Sequence, residues 1–348
     1  MKGVTILICT YNGAKRLFET LRCIAAQQIP GGLNWEVLVV SNASIDDTLA
    51  IAPRLWAELG APAPLRLFDE PRPGKENALV RGFDEAGYEY ICIVDDDNWL
   101  YDDYVARVVS VMQEHPQIGI LGGCAEGAFE IEPPVWFKQF QAYYAVGPQA
   151  AESGPLHELE AYIYGAGSVV RRSGWRYLRD NGFVFTTSTK RGKVIVSGED
   201  VELGNALRLA GYELWYDAGL RLRHFMYKER LTWAYLRRIA QGAVASALTG
   251  LVYYQLYREP GLNLVAFRMH YLRGLAWLCR DIMRRPAALL SYIRHHYDEQ
   301  HGRTFGALHG LSKLKLMLGG RRDAELIFLQ VKKMQASFRE NPVPIRRL

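Results

Sequence analysis

Three consecutive carboxylates follow a short apolar run of the sequence: Asp95, Asp96 and Asp97 come directly after Tyr90–Val94. A continuous apolar run predicts a strand buried in a parallel sheet, and open α/β sheets bind ligands beyond the carboxyl ends of their strands. Neighbouring carboxylates repel each other unless a cation or hydrogen bonds compensate them, and Mg²⁺ prefers oxygen ligands completed by water and phosphate. The trio therefore indicates either a site for a divalent cation and a diphosphate or a solvated acidic turn before a helix near Tyr101.

A second acidic cluster consists of Glu199, Asp200 and Glu202, directly after Gly198. Gly198 permits a tight approach of the backbone, and a helix stabilises carboxylates in its first turn. One of these carboxylates could accept the proton of an attacking hydroxyl as a general base. The alternative is simple N-terminal capping of the helix predicted over residues 200–210.

Two further loops carry polar groups that could contact a ligand. Residues 41–48 leave a predicted strand through small polar side chains, and residues 73–78 include Lys75. Such turns offer backbone N–H groups and side-chain oxygens, but the same residues also form ordinary helix caps. Lys75 could bind a phosphate or a ribose, or it could be a surface lysine.

The elements that must position these residues alternate between short apolar runs and helical patterns. Strands are predicted at Val4–Cys9, Glu36–Val40, Leu65–Phe68 and Tyr90–Val94, and helices at Ala14–Gln28, Asp46–Leu59, Glu76–Ala86 and Tyr101–His115. This alternation predicts βαβ units and a largely parallel sheet. Further strands are predicted at Ile118–Gly122, Cys124–Phe129, Ile163–Val170, Leu214–Tyr216 and Leu220–His224, and the chain is almost entirely helical from Thr232 onward.

The two parts of the chain carry opposite net charges. Residues 1–220 contain 19 Lys and Arg against 29 Asp and Glu, whereas residues 221–348 contain 23 against 8. The acidic part could hold a cation, and the basic part could face an anionic partner. The whole chain of 348 residues is 49% hydrophobic and 23% charged, which excludes a disordered or fibrous protein.

The cysteines and the first residues indicate a cytosolic protein. Five widely spaced cysteines without a Cys-x-x-Cys pair predict neither a disulfide framework nor a zinc cluster, and they fit a reducing compartment. The apolar run before Thr10 is too short for a secretory signal and is not followed by a small-residue cleavage site. We expect this run to form a buried strand.

Residues Ile239–Tyr257 are nineteen uncharged residues in a row. This length is close to that of a membrane-spanning helix. The segment contains Gln241, Ser246, Thr249 and Gln255, which weaken that interpretation. We expect a buried or interfacial helix instead.

In their order, these segments resemble family 2 of the glycosyltransferases, which have the GT-A fold. The resemblance spans about residues 3–245. The residues that carry it are Thr10, Tyr11 and Asn12; Asn42, Ser44, Asp46, Asp47 and Thr48; Gly74, Lys75 and Ala78; Asp95 and Asp97; Tyr164, Gly165, Ala166 and Gly167; Glu199, Asp200, Glu202 and Leu203; His224; and Arg237, Arg238, Gln241 and Gly242. The implied α/β fold is a Rossmann-like mixed sheet flanked by helices, with a basic helical C-terminal extension.

The resemblance also implies a division of the chain. A GT-A catalytic domain would cover residues 1–230, with a nucleotide-sugar half at about 1–115 and an acceptor half at about 116–230. Residues 231–348 would form the basic helical extension.

By the same resemblance, the protein would move a sugar from a nucleoside diphosphate donor, a UDP- or GDP-sugar, to an acceptor hydroxyl with inversion, in cell-surface glycan or glycolipid assembly. Asp200 would be the general base, and Glu199 would address the acceptor. Asp97 would bind Mg²⁺ or Mn²⁺, with Asp95 and His224 as further ligands, although a lone histidine at a strand end is also common as a structural residue.

The resemblance assigns the donor to the loops after the first strands. The implied nucleotide-sugar site comprises Thr10, Tyr11, Asn12, Asn42, Ser44, Lys75, Asp95 and Asp96. Many relatives have an aspartate where this chain has Ser41-Asn42, which leaves the nucleobase open. The Gln-x-x-Arg-Trp signature of processive synthases is absent from the sequence, and we therefore expect one transfer per encounter.

Two other functions fit parts of the pattern. A sugar-nucleotide nucleotidyltransferase could use a related fold, but such enzymes have a glycine-rich, arginine-containing loop after the first strand, where this chain reads Thr-Tyr-Asn-Gly-Ala-Lys-Arg over residues 10–16. A non-catalytic sugar-nucleotide-binding protein would lack either the metal acids or the base. Both acidic clusters are present, which favours catalysis.

The basic C-terminal helices also carry many aromatic residues. Such helices often lie on anionic membrane surfaces, which would bring the site to a lipid-linked acceptor at the cytoplasmic face of the inner membrane. The alternatives are a helical bundle that packs on the catalytic domain or forms a homodimer, and a nucleic-acid patch. No nucleic-acid partner is expected, because no recognised nucleic-acid motif occurs in the sequence.

Overall fold

The computed structural model of the chain describes residues 2–159, 161–186, 190–191, 194–195, 198–287, 289–290 and 302–343. Within them, the strands are β1 (Val4–Thr10), β2 (Trp35–Asn42), β3 (Leu65–Glu70), β4 (Tyr90–Val94), β5 (Asn98–Leu100), β6 (Ile118–Phe129), β7 (Gly154–Pro155), β8 (Ser168–Arg171), β9 (Lys190–Arg191), β10 (Val194–Ile195) and β11 (Glu213–Met226). The helices are α1 (Leu17–Ala25), α2 (Thr48–Glu58), α3 (Lys75–Glu85), α4 (Tyr104–Glu114), α5 (Phe137–Phe140), α6 (Arg172–Asp180), α7 (Glu199–Leu209), α8 (Trp233–Ala245), α9 (Ala247–Arg258), α10 (Leu264–Met283), α11 (Gly302–Gly319) and α12 (Arg321–Glu340). They flank a central mixed sheet.

The main sheet has the strand order β3-β2-β1-β4-β8-β6-β11-β5, and β7 pairs with β11. β1 is parallel to both β2 and β4, with Ile8 beside Val39 on one side and Val94 on the other. β8 is antiparallel to β4 and β6. Because the carboxyl ends of β1, β2 and β4 meet at one edge, the polar loops that follow these strands lie together.

Each central strand alternates its side chains between two cores, since successive residues of a strand point to opposite faces. In β1, Leu7 and Cys9 belong to the core that contains α3, α6 and α7. Ile6 and Ile8 belong to the opposite core, which contains α1, α2 and α4. The sheet is therefore covered by helices on both faces, as its continuous apolar strands predict.

The four strands and four helices predicted for the first 115 residues are confirmed, with shorter ends for some helices. The two segments predicted at 118–122 and 124–129 form one strand, β6, and those at 214–216 and 220–224 form one strand, β11. β6 pairs with β11 through a register shift between Tyr216 and Arg221. At this irregularity a Cβ on Gly123 would lie 2.0 Å from the backbone oxygen of Leu220, so the close approach requires glycine.

The strand predicted at Ile163–Val170 is wrong in its first half. The structure has the strand β8 only over Ser168–Arg171. Gly167 has a φ of +65°, which breaks the extended backbone, and its N–H donates to the carbonyl of Ile93 at 3.0 Å. Residues 163–167 therefore form a loop at the same edge of the sheet as the aspartate trio.

The C-terminal helices pack on the sheet and its covering helices. Leu248 and Val252 of α9, Phe267 of α10 and Phe328 of α12 belong to the same hydrophobic core as Leu207 of α7. This packing corresponds to the helical-bundle alternative of the sequence analysis. The residues that pack against Leu207 of α7 thus include ones more than forty positions later in the chain.

The uncharged segment Ile239–Tyr257 does not form one continuous helix. α8 ends at Ala245, α9 begins at Ala247, and Ser246 stands between them. In the part of the chain that the structure describes, no helix combines the length and apolar character needed to cross a membrane.

Candidate active site

Asp96 is buried where the end of β4 meets the loop after β1. Its carboxylate oxygens accept hydrogen bonds from the Arg16 guanidinium at 2.9 and 2.7 Å, and the Thr10 hydroxyl donates to one of them. Burial raises the pKa of Asp96, and Arg16 opposes that rise. Asp96 and Thr10 thus hold this loop in place, and their contact with a nucleotide sugar stays a prediction.

Asp97 contacts two basic side chains from the end of β11 and the turn that follows. Its Oδ2 lies 2.7 Å from Nη1 of Arg230, and its Oδ1 lies 3.4 Å from Nε2 of His224. Because β11 runs antiparallel to β5, with His224 opposite Asn98, the imidazole is held beside the aspartate trio. Burial alone would raise the pKa of Asp97, but His224 and Arg230 hold it well below its usual range.

The donor atoms around Asp97 suit a divalent cation that has few protein ligands. The Asp97 carboxylate and the His224 imidazole face each other, and the buried Nδ1 of His224 has no hydrogen-bond partner among the described residues. Mg²⁺ commonly uses one or two carboxylates plus water and substrate phosphate, and an imidazole ligand favours a transition metal such as Mn²⁺. No group of three or more His, Cys, Asp or Glu in the described ranges could hold a metal by itself. The pair therefore fits a cation whose remaining ligands come from a diphosphate and water.

Lys75 lies between the two acidic clusters. It is the first residue of α3, and its Nζ lies 2.6 Å from Oδ1 of Asp95. Burial alone would lower the pKa of Lys75, but the charges of Asp95 and Glu199 raise it above its usual range. One ammonium group thus pairs with a carboxylate of the first cluster and lies close enough to the second for its charge to act, so the two clusters are neighbours in the fold.

Glu199 and Asp200 begin α7 and differ in exposure. Glu199 is buried, and its carboxylate accepts the N–H of Gly198 at 3.0 Å. Asp200 is partly exposed, and its two oxygens accept the N–H groups of Gly165 and Val201, both at 2.8 Å. Burial and the neighbouring Asp200 raise the pKa of Glu199 to about 7, and burial raises the pKa of Asp200. Asp200 is therefore the carboxylate of this pair that a ligand can reach.

Two glycines allow the backbone to come this close to the acidic pair. Gly198 has a φ of +132°, and a Cβ there would lie 2.5 Å from the Cβ of Ser246. A Cβ on Gly165 would lie 3.2 Å from the Cβ of Asp200. The position of Asp200 thus depends on the loop 163–167 on one side and on the junction of α8 and α9 on the other.

Asn12 and Ser44 join two neighbouring loops to each other. The N–H of Asn12, at a φ of +50°, donates to Oγ of Ser44 at 3.0 Å. Oδ1 of Asn12 accepts the N–H of Ile45 at 2.9 Å. These contacts fix the loops after β1 and β2, where the nucleotide-sugar contacts of both residues stay predictions.

Asn42 and Tyr11 differ sharply in what they contact. The buried amide of Asn42 donates to the carbonyl of Arg72 at 2.7 Å and accepts the N–H of Gly74 at 2.9 Å. It therefore fixes the loop that leads to Lys75. The side chain of Tyr11 is 59% exposed at the edge of the cleft, where its ring can stack on a ligand.

Sequence reasoning missed Arg16 and Arg230 as site residues. Arg16 lies six residues after the first strand, at the end of the segment 10–16 that was compared with the loop of nucleotidyltransferases. Arg230 follows β11, and no local motif marks it. Each forms an ion pair of 2.7 Å with one aspartate of the trio. Only the pairing of strands distant in sequence brings Arg230 to Asp97.

Comparison with known proteins identifies the family. The model of glycosyl transferase family 2 matches residues 5–178, half of the chain. The chain therefore belongs to glycosyl transferase family 2.

Curated relatives match about a third of the chain. The chain is 26% identical over 124 residues to a poly-beta-1,6-N-acetyl-D-glucosamine synthase of Staphylococcus epidermidis, which is 35% of this chain and 28% of that protein. It is 26% identical over 115 residues to the poly(ribitol-phosphate) beta-N-acetylglucosaminyltransferase TarS of Staphylococcus aureus, which is 33% of this chain and 20% of that protein. The chain thus spans less than a third of the length of these relatives.

Solved structures share the fold over nearly the whole chain. S. aureus TarS 1–349 in complex with UDP-GlcNAc has a TM-score of 0.54 at 16% identity and covers 97% of this chain and 90% of that one. A mannosyltransferase from Pyrobaculum calidifontis in complex with GDP-Man and Mn²⁺ has a TM-score of 0.53 at 19% identity, with coverages of 97% and 86%. The predicted GT-A fold is confirmed.

Replacing Glu199 by glutamine should change how stability depends on pH. Because the folded state raises the pKa of Glu199 to about 7, the native carboxyl binds its proton more tightly than the unfolded one, and stability falls as pH rises from the ordinary glutamate range through 7. Glutamine removes this loss. In urea unfolding, the free energy of unfolding of Glu199→Gln relative to that of wild type should therefore rise by on the order of 2 kcal/mol between pH 5 and pH 8.5.

The exposed Glu58 provides the matched control. Glu58→Gln should leave the pH dependence of unfolding unchanged. If the free energy of unfolding of Glu199→Gln followed the wild-type pH curve at every pH, burial would not raise the pKa of the Glu199 carboxyl.

Proposed function

We propose that this family 2 protein transfers a sugar from a nucleoside diphosphate donor to an acceptor hydroxyl in a metal-dependent, inverting reaction. The single observation that carries the proposal is the position of Lys75, whose ammonium lies 2.6 Å from Oδ1 of Asp95 and within the electrostatic influence of Glu199. A donor diphosphate beside Asp95 and Asp97 would then have its sugar between those residues and Asp200. The acceptor would approach from the side of Asp200.

The donor is held by the loops after β1, β2 and β3. Tyr11 stacks on the nucleobase, and the backbone fixed by Asn12, Ser44 and Asn42 shapes the pocket around it. Asp95 contacts the ribose, while Lys75 faces the phosphates. Both UDP- and GDP-sugars are candidates, because structures with this fold carry UDP-GlcNAc in one case and GDP-Man in another.

Asp97 and His224 would hold the divalent cation, Mg²⁺ or Mn²⁺, with Asp95 nearby. A cation bound there would supply Lewis-acid polarisation of the diphosphate and offset the charge that develops on the leaving nucleotide. The low pKa of Asp97 keeps its carboxylate ionised for this role at neutral pH. Arg230 pairs with the other carboxylate oxygen of Asp97 and adds positive charge at the same place.

Asp200 takes the proton of the acceptor hydroxyl. Its two backbone N–H partners orient the carboxylate, and its partial exposure lets the acceptor reach it. A raised pKa makes the carboxylate a stronger base than an exposed aspartate. The hydroxyl then attacks the anomeric carbon from the face opposite the diphosphate, which inverts the centre in one displacement. Glu199 stays buried behind Asp200 and positions the acceptor through it.

The activities of the relatives support a biological setting. One relative synthesises poly-N-acetylglucosamine, and another transfers N-acetylglucosamine to poly(ribitol phosphate). We extend this to assembly of a cell-surface glycan or glycolipid at the cytoplasmic face of a membrane.

An exposed apolar stripe on α10 supports a peripheral membrane contact. We define the apolar stripe as Val265, Met269, Leu272 and Met283, which are 66, 49, 49 and 71% exposed. Their spacing places them on one face of the helix. Basic residues of the same helix region flank the stripe: Arg273, Arg280 and Arg284. Apolar side chains between cations suit an anionic lipid surface, where each basic residue adds about 1 kcal/mol.

Replacing Asp97 by asparagine should remove the metal dependence of donor binding. Asparagine keeps the shape of the side chain but lacks the charge that holds a divalent cation. Calorimetric titration of UDP and GDP should show that Mn²⁺ strengthens binding to wild type, and that Asp97→Asn loses at least tenfold of this gain.

The control for this substitution is Asp69→Asn, at an exposed carboxylate in β3. It should bind the nucleotides as wild type does. Equal Mn²⁺-dependent affinities in wild type and Asp97→Asn would count against the cation role of Asp97.

Replacing Asp200 by asparagine should separate donor binding from transfer. The amide can still accept the N–H of Gly165 but is not a base, so the rate of transfer should fall by about 10² to 10⁴ while the affinity for the nucleotide sugar stays within twofold. Turnover is measured as nucleoside diphosphate release in the presence of acceptor. Near-normal turnover of Asp200→Asn would exclude Asp200 as the base.

A charge within the apolar stripe should weaken binding to vesicles. Leu272→Glu places a carboxylate where the stripe meets lipid, and sedimentation with vesicles of equal parts phosphatidylcholine and phosphatidylglycerol should show at least tenfold weaker binding than wild type. Val135→Glu, at a fully exposed valine far along the chain from α10, is the matched control. Unchanged sedimentation of Leu272→Glu would argue against the membrane contact.

A further inference from the structure

A largely apolar cavity of about 400 Å³ lies between α7 and the C-terminal helices. Val201 and Asn205 of α7 form one wall, and residues of α9, α10 and α11 form the opposite one. This volume is in the range of small-molecule binding sites.

The cavity begins beside Asp200. Val201, the next residue in the chain, lines it, and so does Tyr162. Tyr162 lies near enough to Asp200 for the carboxylate to add to the rise in the tyrosine pKa that burial causes. A molecule in the cavity can therefore extend toward the proposed base past Val201 and Tyr162.

The chemistry of the walls favours an aliphatic occupant over a glycan. Most of the lining is hydrocarbon or aromatic, as at Leu248, Leu251 and Met317, and the cations and amides are limited to Lys313 and Asn205. Burying sugar hydroxyls against such walls costs free energy, because they would lose hydrogen bonds to water without replacement. An aliphatic chain loses nothing comparable and gains from burial.

Trp277 marks an exposed end of the cavity. Trp277 lines the cavity, is 66% exposed, and lies on α10 between stripe residues Leu272 and Met283 in sequence. A chain that enters at Trp277 can thus run along the apolar walls toward Val201, which follows Asp200 in the sequence.

We propose, on the premise of the transfer reaction above, that this cavity binds the alkyl or isoprenoid chain of the acceptor and presents its hydroxyl end to Asp200. The acceptor is thereby a lipid-linked molecule, and the C-terminal helices form part of the acceptor site. Selection for an aliphatic chain lies with α9, α10 and α11.

Gly250 of α9 offers a substitution that fills the cavity without disturbing the fold. It lines the cavity, and a Cβ at this position would have no atom within 4 Å. Leucine is a better helix former than glycine, so Gly250→Leu should fold at least as stably as wild type. Gly306→Leu in α11 is the matched control, because Gly306 is also helical, has equally open space and does not line the cavity.

The experiment titrates the full chain with decyl β-D-glucoside and butyl β-D-glucoside, both below the concentration at which they form micelles. Wild type and Gly306→Leu should bind the decyl compound at least tenfold more tightly than the butyl compound, because added buried methylenes strengthen binding. Gly250→Leu should lose at least tenfold of the decyl affinity and change little toward the butyl compound. Equal decyl affinity in wild type and Gly250→Leu, or an equal loss in Gly306→Leu, would overturn the cavity assignment.

Binding of UDP and GDP with Mn²⁺ to the same three proteins separates this proposal from the proposed function. All three should bind nucleotide alike, because the cavity lies apart from the donor loops. If wild type binds nucleotide but does not prefer the decyl compound to the butyl compound, only the proposal that the cavity binds an aliphatic chain is overturned. Absence of nucleotide binding in wild type overturns the transfer reaction, and the acceptor assignment with it.

Discussion

The arrangement of this site depends on the electrostatic interaction of the Lys75 ammonium with Asp95 and Glu199. Asp95 and Glu199 come from opposite parts of the chain, and two buried acidic clusters so close together would repel each other without a cation between them. The ammonium group compensates both, and Asn42 fixes the loop that delivers it. A ligand that brings phosphates to this place meets a centre whose charges are already balanced, with the cation fixed at the start of a helix.

The same principle governs the other two aspartates of the trio. Asp96 is paired with Arg16 and serves the loop after β1, whereas Asp97 is paired with Arg230 and His224 at the end of β11. Three consecutive carboxylates thus reach three different parts of the structure. Their close spacing in sequence is tolerable because each has its own cation, and it ties the loops after β1 and β3 to the turn after β11.

Much of the fold could be predicted from the sequence, because continuous apolar strands and helical periodicity are local signals. The separate strands predicted within β6 and β11 failed at Gly123 and near Tyr216, where an irregular pairing interrupts the apolar pattern without ending the strand. The acidic clusters were found from their residue types. Arg230 could not be found, since its role arises from the antiparallel pairing of β11 with β5. The cavity could not be found either, because its walls come from four separate helices.

The contact between Gly198 and Ser246 couples the position of Asp200 to the position of the C-terminal helices. Ser246 stands at the bend between α8 and α9, and Gly198 sets the start of the helix that carries Asp200. A shift of this junction also displaces the start of α7, since the side chain of Ser246 packs directly against the backbone of Gly198. Sequence change in the rear helices is therefore constrained: a substitution that moves the junction persists only when it leaves the carboxylate of Asp200 in place.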